Sequence, residues 1–133
     1  MSILGPCRSA DQVELSYSDA RVLGLDCPVR QSGDLKGSAP CTLIGPEGSV
    51  DISEGAIIAL RHCHLSDVDG EKWGIKDGDM VLVKCGEDGP RPLIFDGVVA
   101  RVSASYATAM HVDYDELNAA ALFGEVYGTI IKK

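Results

Sequence analysis

The segment Gln12-Val13-Glu14-Leu15-Ser16-Tyr17-Ser18-Asp19, closed by Gly24-Leu25, decides the fold, because its outline returns in Leu65-Ser66-Asp67-Val68-Asp69, closed by Gly74-Ile75. Eight residues separate Ser16 from Gly24, and eight separate Ser66 from Gly74. Alternation of apolar and polar residues before each serine reads as a strand. The serine then caps one or two helical turns, and the glycine supplies the left-handed residue that ends them. A hairpin signal follows each copy: Gly45-Pro46-Glu47-Gly48 between residues 41–44 and 49–52, and Asp96-Gly97 between residues 93–95 and 98–102. The repeat predicts a mainly β chain of two related, small β-barrel units with short helices, residues 1–59 and 60–133. Further strands are expected at 56–61, 80–84, 109–112 and 129–131. Helices are expected at 18–23, 67–72 and 114–122, the last capped by Asp113.

The composition suits this reading. A chain of 133 residues with 45% apolar residues can bury a core, and 15 Gly with 6 Pro supply turns between short strands. The net charge of -8 would repel a phosphate backbone, which argues against nucleic-acid binding. A small polyanion remains a candidate ligand where a placed arginine or metal ion supplies local positive charge. The five cysteines are odd in number and include no C-x-x-C pair, and the start has no secretory pattern. Free thiols in a reducing cytoplasm are therefore expected. No apolar run has the length of a membrane span.

Chemistry concentrates around the three histidines. His62 and His64, in Arg61-His62-Cys63-His64-Leu65, lie two apart on an expected strand and so share one face, while Cys63 points to the core. Paired imidazoles can bind a first-row metal, with His111 in Met110-His111-Val112-Asp113 as a third ligand. The same residues also suit ordinary hydrogen-bonded histidines on a solvated face. Aligning the repeats puts Glu14 opposite His64 and Gln12 opposite His62, so a carboxylate occupies a proposed ligand position in the first unit. Read without the repeat, Glu14 is a solvated strand residue. Arg8 offers a forked guanidinium for phosphate, or is a plain surface charge. The polar loop 30–38, with Ser32, Gly33 and Lys36, has the composition of a phosphate- or cofactor-binding loop, or of a surface connection. There is no G-x-S-x-G elbow, and no cysteine is placed beside a histidine on one strand face, so no protein nucleophile is evident.

Five blocks together resemble the metal-dependent phosphotransacylase family of bacterial microcompartments, the phosphate propanoyltransferases. They are Gly5-Pro6-x-Arg8; Gln12-Val13-Glu14-Leu15-Ser16-x-x-Asp19-Ala20; Pro28-Val29-Arg30-x-Ser32-Gly33-Asp34-x-Lys36-Gly37-Ser38; Arg61-His62-x-His64-Leu65-Ser66; and Met110-His111-Val112-Asp113-x-Asp115-Glu116-x-Asn118-Ala119-Ala120. The resemblance implies two β-barrels with an active site between them. It implies transfer of a propanoyl or acetyl group between coenzyme A and inorganic phosphate, giving an acyl phosphate. It implies two zinc ions per complete site: His62, His64 and His111 match the ligands of one, Glu14 matches a ligand of the other, and Arg8 matches the phosphate-holding arginine. The family pattern also has an earlier segment whose own H-x-H serves the zinc that Glu14 binds, together with an N-terminal strand of the first barrel; this sequence starts after both. Three roles fit that difference: a phosphotransacylase, a non-catalytic zinc- and coenzyme A-binding module, or a split-enzyme subunit awaiting a separate N-terminal partner. Open sheet edges would favour a homo-oligomer. By family analogy the location is the cytoplasm or a microcompartment lumen.

Overall fold

The computed structural model describes residues 2–132. It is mainly β with three short helices, and the described residues divide into two compact units between Ala59 and Leu60. In the first unit the elements are β1 (Val13–Leu15), α1 (Tyr17–Leu23), β2 (Val29–Arg30), β3 (Ala39–Gly45) and β4 (Gly48–Ala59). Strands β1 and β2 flank β4 and run parallel to it, while β3 pairs with it as an antiparallel hairpin closed by Pro46-Glu47. Opposite β3, the register slips between Ala39 and Cys41, where β4 carries Gly55. A Cβ at Gly55 would stand 2.8 Å from the Asp11 carbonyl oxygen, so only glycine allows that approach. Val13, Ala20, Ala39, Ile52, Ala56 and Ile58 form the core.

The second unit contains β5 (His62–Leu65), α2 (Asp67–Trp73), β6 (Met80–Cys85), β7 (Leu93–Val102), β8 (Ala109–His111), α3 (Tyr114–Ala119) and β9 (Gly128–Lys132). Its sheet has the order β8-β5-β7-β6-β9, with β5 parallel to β7 and the other neighbours antiparallel. Leu65, Val81, Val98 and Ala100 are buried at its centre with Cys63 and Phe95. Each fully buried Leu or Val side chain contributes about 1.5–3 kcal/mol of apolar burial.

The local reading of the repeat holds at both copies. Ser16 and Ser66 are N-caps whose side chains accept from the backbone N–H of Asp19 and Asp69, each at 3.1 Å. Gly24 and Gly74 end the helices at φ 70 and 62. The expectation of a hairpin at Asp96-Gly97 is corrected. These residues lie inside one continuous strand, β7, as a bulge: the two-residue step from Val81 to Val83 faces the three-residue step from Val98 to Phe95. Gly97 takes φ 68 while its N–H donates to Asp96 Oδ1. Asp-Gly suits a glycine bulge as well as a tight turn, so the dipeptide alone does not tell them apart. The chain instead reverses over residues 86–92, beginning at Gly86 with φ 68. Helix α3 also stops short of the expected residue 122, because Ala120 leaves helical geometry and Ala121 takes φ 52.

Candidate metal centre

The histidines are assembled by strand pairing. His62 of β5 stands directly opposite His111 of antiparallel β8, and His64 follows two residues on, on the same face. One ligand atom from each of the three lies within 4.8 Å of the others. Ring centroids are 4.8 Å apart for His62 and His111, 5.0 Å for His62 and His64, and 4.5 Å for His64 and His111. His62 is buried, His64 half-buried and His111 exposed, so the cluster opens from the sheet towards solvent.

The ring chemistry fits a transition metal. His62 Nδ1 is 3.0 Å from the Leu60 carbonyl oxygen, a contact in which Nδ1–H donates and the Nε2 lone pair is left able to bind a metal. Burial lowers the pKa of His64, helped by its neighbours His62 and Arg101. Arg101 stands beside His64 on the adjoining strand. A lowered pKa favours the neutral imidazole, and the neutral form is the one that binds metal. Cys63, between the histidines, is 2% exposed and faces the core, as strand alternation requires. Burial pushes its thiol up, as it does for Cys27 and Cys85. That is opposite to what a nucleophilic cysteine needs.

The base of the cluster is buckled to α3. Arg61, next to His62, places Nε 2.6 Å from Glu116 Oε1 and donates from Nη1 to the Asp96 carbonyl oxygen at 3.1 Å. Its guanidinium also lies 5.7 Å from the centre of the Phe95 ring. Glu116 completes a capping box with Asp113, which begins α3 just after His111. The Asp-x-x-Glu spacing was a visible sign of the box. Nothing in the sequence singled out Arg61 as the partner of Glu116.

In the first unit, four expected site residues meet around a residue that sequence reasoning did not select. Gln12 donates from Nε2 to Glu14 Oε1 at 2.6 Å and to Ser32 Oγ at 2.9 Å, while its Oε1 accepts from the Gly33 backbone N–H at 2.7 Å. Arg8 reaches the same serine from Nη1 at 3.4 Å. Arg8 and Glu14 are exposed; Gln12 and Ser32 are half-buried. Lys36 is exposed and, among the described residues, stands outside this hydrogen-bonded group. The i, i+2 spacing of Gln12 and Glu14 was the available signal, since it mirrors His62 and His64.

The fold and cluster define a mainly β protein with a three-histidine set able to hold a metal ion. A family model described as phosphate propanoyltransferase matches residues 1–123, and the chain belongs to that family. The phosphate propanoyltransferase of Listeria monocytogenes is 47% identical over 131 residues, covering 98% of this chain and 61% of the relative. That of Clostridioides difficile is 44% identical over 131 residues, covering 98% and 62%. That of Thermotoga maritima is 49% identical over 120 residues, covering 90% and 57%. The chain thus spans about three-fifths of the length of these curated relatives. Among the described residues no helix is long and apolar enough to cross a membrane.

Proposed function

We propose that this chain serves a metal-dependent phosphotransacylase reaction, in which an acyl group passes between coenzyme A and inorganic phosphate. The observation that carries the reading is the convergence of His62, His64 and His111 from two paired strands, in a chain of the phosphate propanoyltransferase family. These three residues would hold one zinc ion, and Glu14 would serve a second. Bound zinc supplies Lewis-acid polarisation of the thioester carbonyl and of phosphate. In the forward direction the carbon–sulfur bond of propanoyl- or acetyl-coenzyme A breaks, a carbon–oxygen bond to phosphate forms, and the coenzyme A thiolate leaves.

The side chains have separable tasks. Arg8 neutralises and orients phosphate through its forked donors. Gln12 holds the Glu14 carboxylate and the Ser32-Gly33 turn together, so that carboxylate and loop move as one. The loop with Ser32, Gly33 and Lys36 offers backbone and side-chain donors to phosphate or to coenzyme A. Direct attack by phosphate agrees with thiols pushed up by burial, which are poorly suited to carry the acyl group. Each sheet belongs, on this reading, to one of two small barrels, and the family analogy puts the protein in the cytoplasm or a microcompartment lumen.

The test is coenzyme A-dependent consumption of propanoyl phosphate by the purified, zinc-loaded chain. Turnover that vanishes in His62→Ala, with zinc-free thermal stability retained, is the expected result. A folded chain that binds zinc and coenzyme A without turnover would replace the enzyme with a binding module. Turnover gained only on adding an N-terminal H-x-H segment would mean that this chain supplies part of the site.

A further inference from the structure

Two of the three imidazoles are oriented by different means. His62 is fixed by the Leu60 carbonyl oxygen and by its cross-strand pairing with His111. His64 is covered by a flat ring: Tyr106 stacks on it with centroids 4.1 Å apart and 12° between the planes. Tyr106 belongs to the connection between β7 and β8. Its neighbours Ala104 to Thr108 are otherwise exposed, yet Tyr106 itself is half-buried.

The connection is tied down at both ends. Ser103 N–H donates to the Leu65 carbonyl oxygen at 3.1 Å, and Tyr106 N–H donates to the Ser103 carbonyl oxygen at 3.0 Å. Further on, Thr108 Oγ1 accepts from Ser66 N–H at 3.1 Å and donates to Asp69. The anchors outside the connection are Leu65 of β5, Ser66 that caps α2, and Asp69 of α2, the stretch of chain that follows His64. The ring is therefore delivered to His64 by a braced loop.

We infer that Tyr106 is a positioning residue of the histidine cluster, its ring fixing the imidazole plane of His64 so that a zinc-class ion meets that nitrogen already oriented beside the one of His62. The inference rests on the metal-site reading above. An imidazole turns about Cβ–Cγ in a broad torsional well, and a face-on neighbour narrows that rotation. Ordering the ring before the ion arrives removes that cost from binding. Supporting residues around metal ligands typically change affinity by about 10–100-fold. The stack needs the flat ring and not the hydroxyl.

The experiment measures Zn2+ affinity by chelator competition, and the visible spectrum with Co2+, on the full chain and on Tyr106→Phe, Tyr106→Ala and Tyr106→Leu. Tyr106→Phe should bind within about 2-fold of the unchanged chain, while Tyr106→Ala and Tyr106→Leu should bind about 10-fold more weakly with an altered Co2+ spectrum. Leucine fills the space without a flat face, so it tests the stack should alanine disturb the loop. Unchanged affinity and spectrum in Tyr106→Leu would overturn the proposal, as would Tyr106→Phe weakening binding as much as alanine does. An unchanged chain that binds neither metal would instead overturn the metal-site reading, and the positioning role with it.

Discussion

Val13 of β1 pairs with Ala56 of β4 as Cys63 of β5 pairs with Ala100 of β7, and Leu15 with Ile58 as Leu65 with Val102. Both units thus set a strand parallel to the second arm of a hairpin, in the same register, and follow it with a serine-capped helix. The chemistry on that strand differs, and so does what lies beside it. The outward positions carry Gln12 and Glu14 in one unit and His62 and His64 in the other. A further strand, β8, then brings His111 against β5, whereas among the described residues β1 ends its sheet. The H-x-H pair is therefore two-thirds of a set able to hold a metal ion, and the neighbouring strand completes it. The same strand position in the first unit is used to tie a carboxylate to a loop.

The sharpest way to break this comparison is to remove one proposed ligand from each unit. His62→Ala should weaken Zn2+ binding by at least about 100-fold, more than loss of a supporting residue would. Glu14→Ala should leave that affinity within about 2-fold. Chelator competition measures both. Equal losses would mean that the two positions serve one ion.

Next in size is a packing difference inside the repeated helices. The repeat places Ala20 of α1 where α2 has Gly70, and both are buried. A Cβ at Gly70 would lie 2.8 Å from Val102 Cγ1 and 3.2 Å from the Ile75 carbonyl oxygen. Gly70→Ala should therefore destabilise by roughly 1–2 kcal/mol, since overpacking outweighs the better helix propensity of alanine. Ala20→Gly should cost about 1 kcal/mol for the opposite reason. Denaturant midpoints of the two variants check this, and a stabilised Gly70→Ala would show that Val102 can move aside.

What the sequence revealed follows the same division. The caps were legible because Ser-x-x-Asp and a terminal glycine satisfy orphan backbone groups wherever they occur. The histidine face was legible because strand alternation is strict. Asp96-Gly97 misled because a left-handed glycine serves a bulge and a turn equally. The Tyr106–His64 stack, the Gln12–Ser32 bond and the Arg61–Glu116 pair were invisible. Tyr106 is forty-two residues from His64, as 106 − 64 shows, and Gln12 is linked to Ser32 across a loop; only folding sets such distances.

The caps themselves offer a smaller test. Ser16→Ala and Ser66→Ala each remove one side-chain acceptor from a helix start and should each cost about 1 kcal/mol. Chemical denaturation should give similar values for the two. A much larger loss at Ser66 would mean that its cap also supports the connection anchored at Thr108.

The smallest expected effect concerns a feature that only the second unit has. Burial raises the pKa of Glu116, and although the Asp113 backbone N–H and Arg61 act against it, the net shift is upward. A carboxyl group with a raised folded pKa binds its proton more readily in the native state than in the unfolded chain. Its stabilising contribution is therefore fully present below the unfolded pKa and lost as pH rises through the folded value. Glu116→Gln keeps the shape and removes the titration. The stability of the unchanged chain relative to this variant should therefore increase, not fall, as pH is lowered from neutrality through the carboxylate range, by less than about 1 kcal/mol. Paired denaturant midpoints across that range measure the difference. A relative stability that falls with acid would mean that the Arg61 ion pair outweighs burial, and that the buckle beneath the histidines is held mainly by charge.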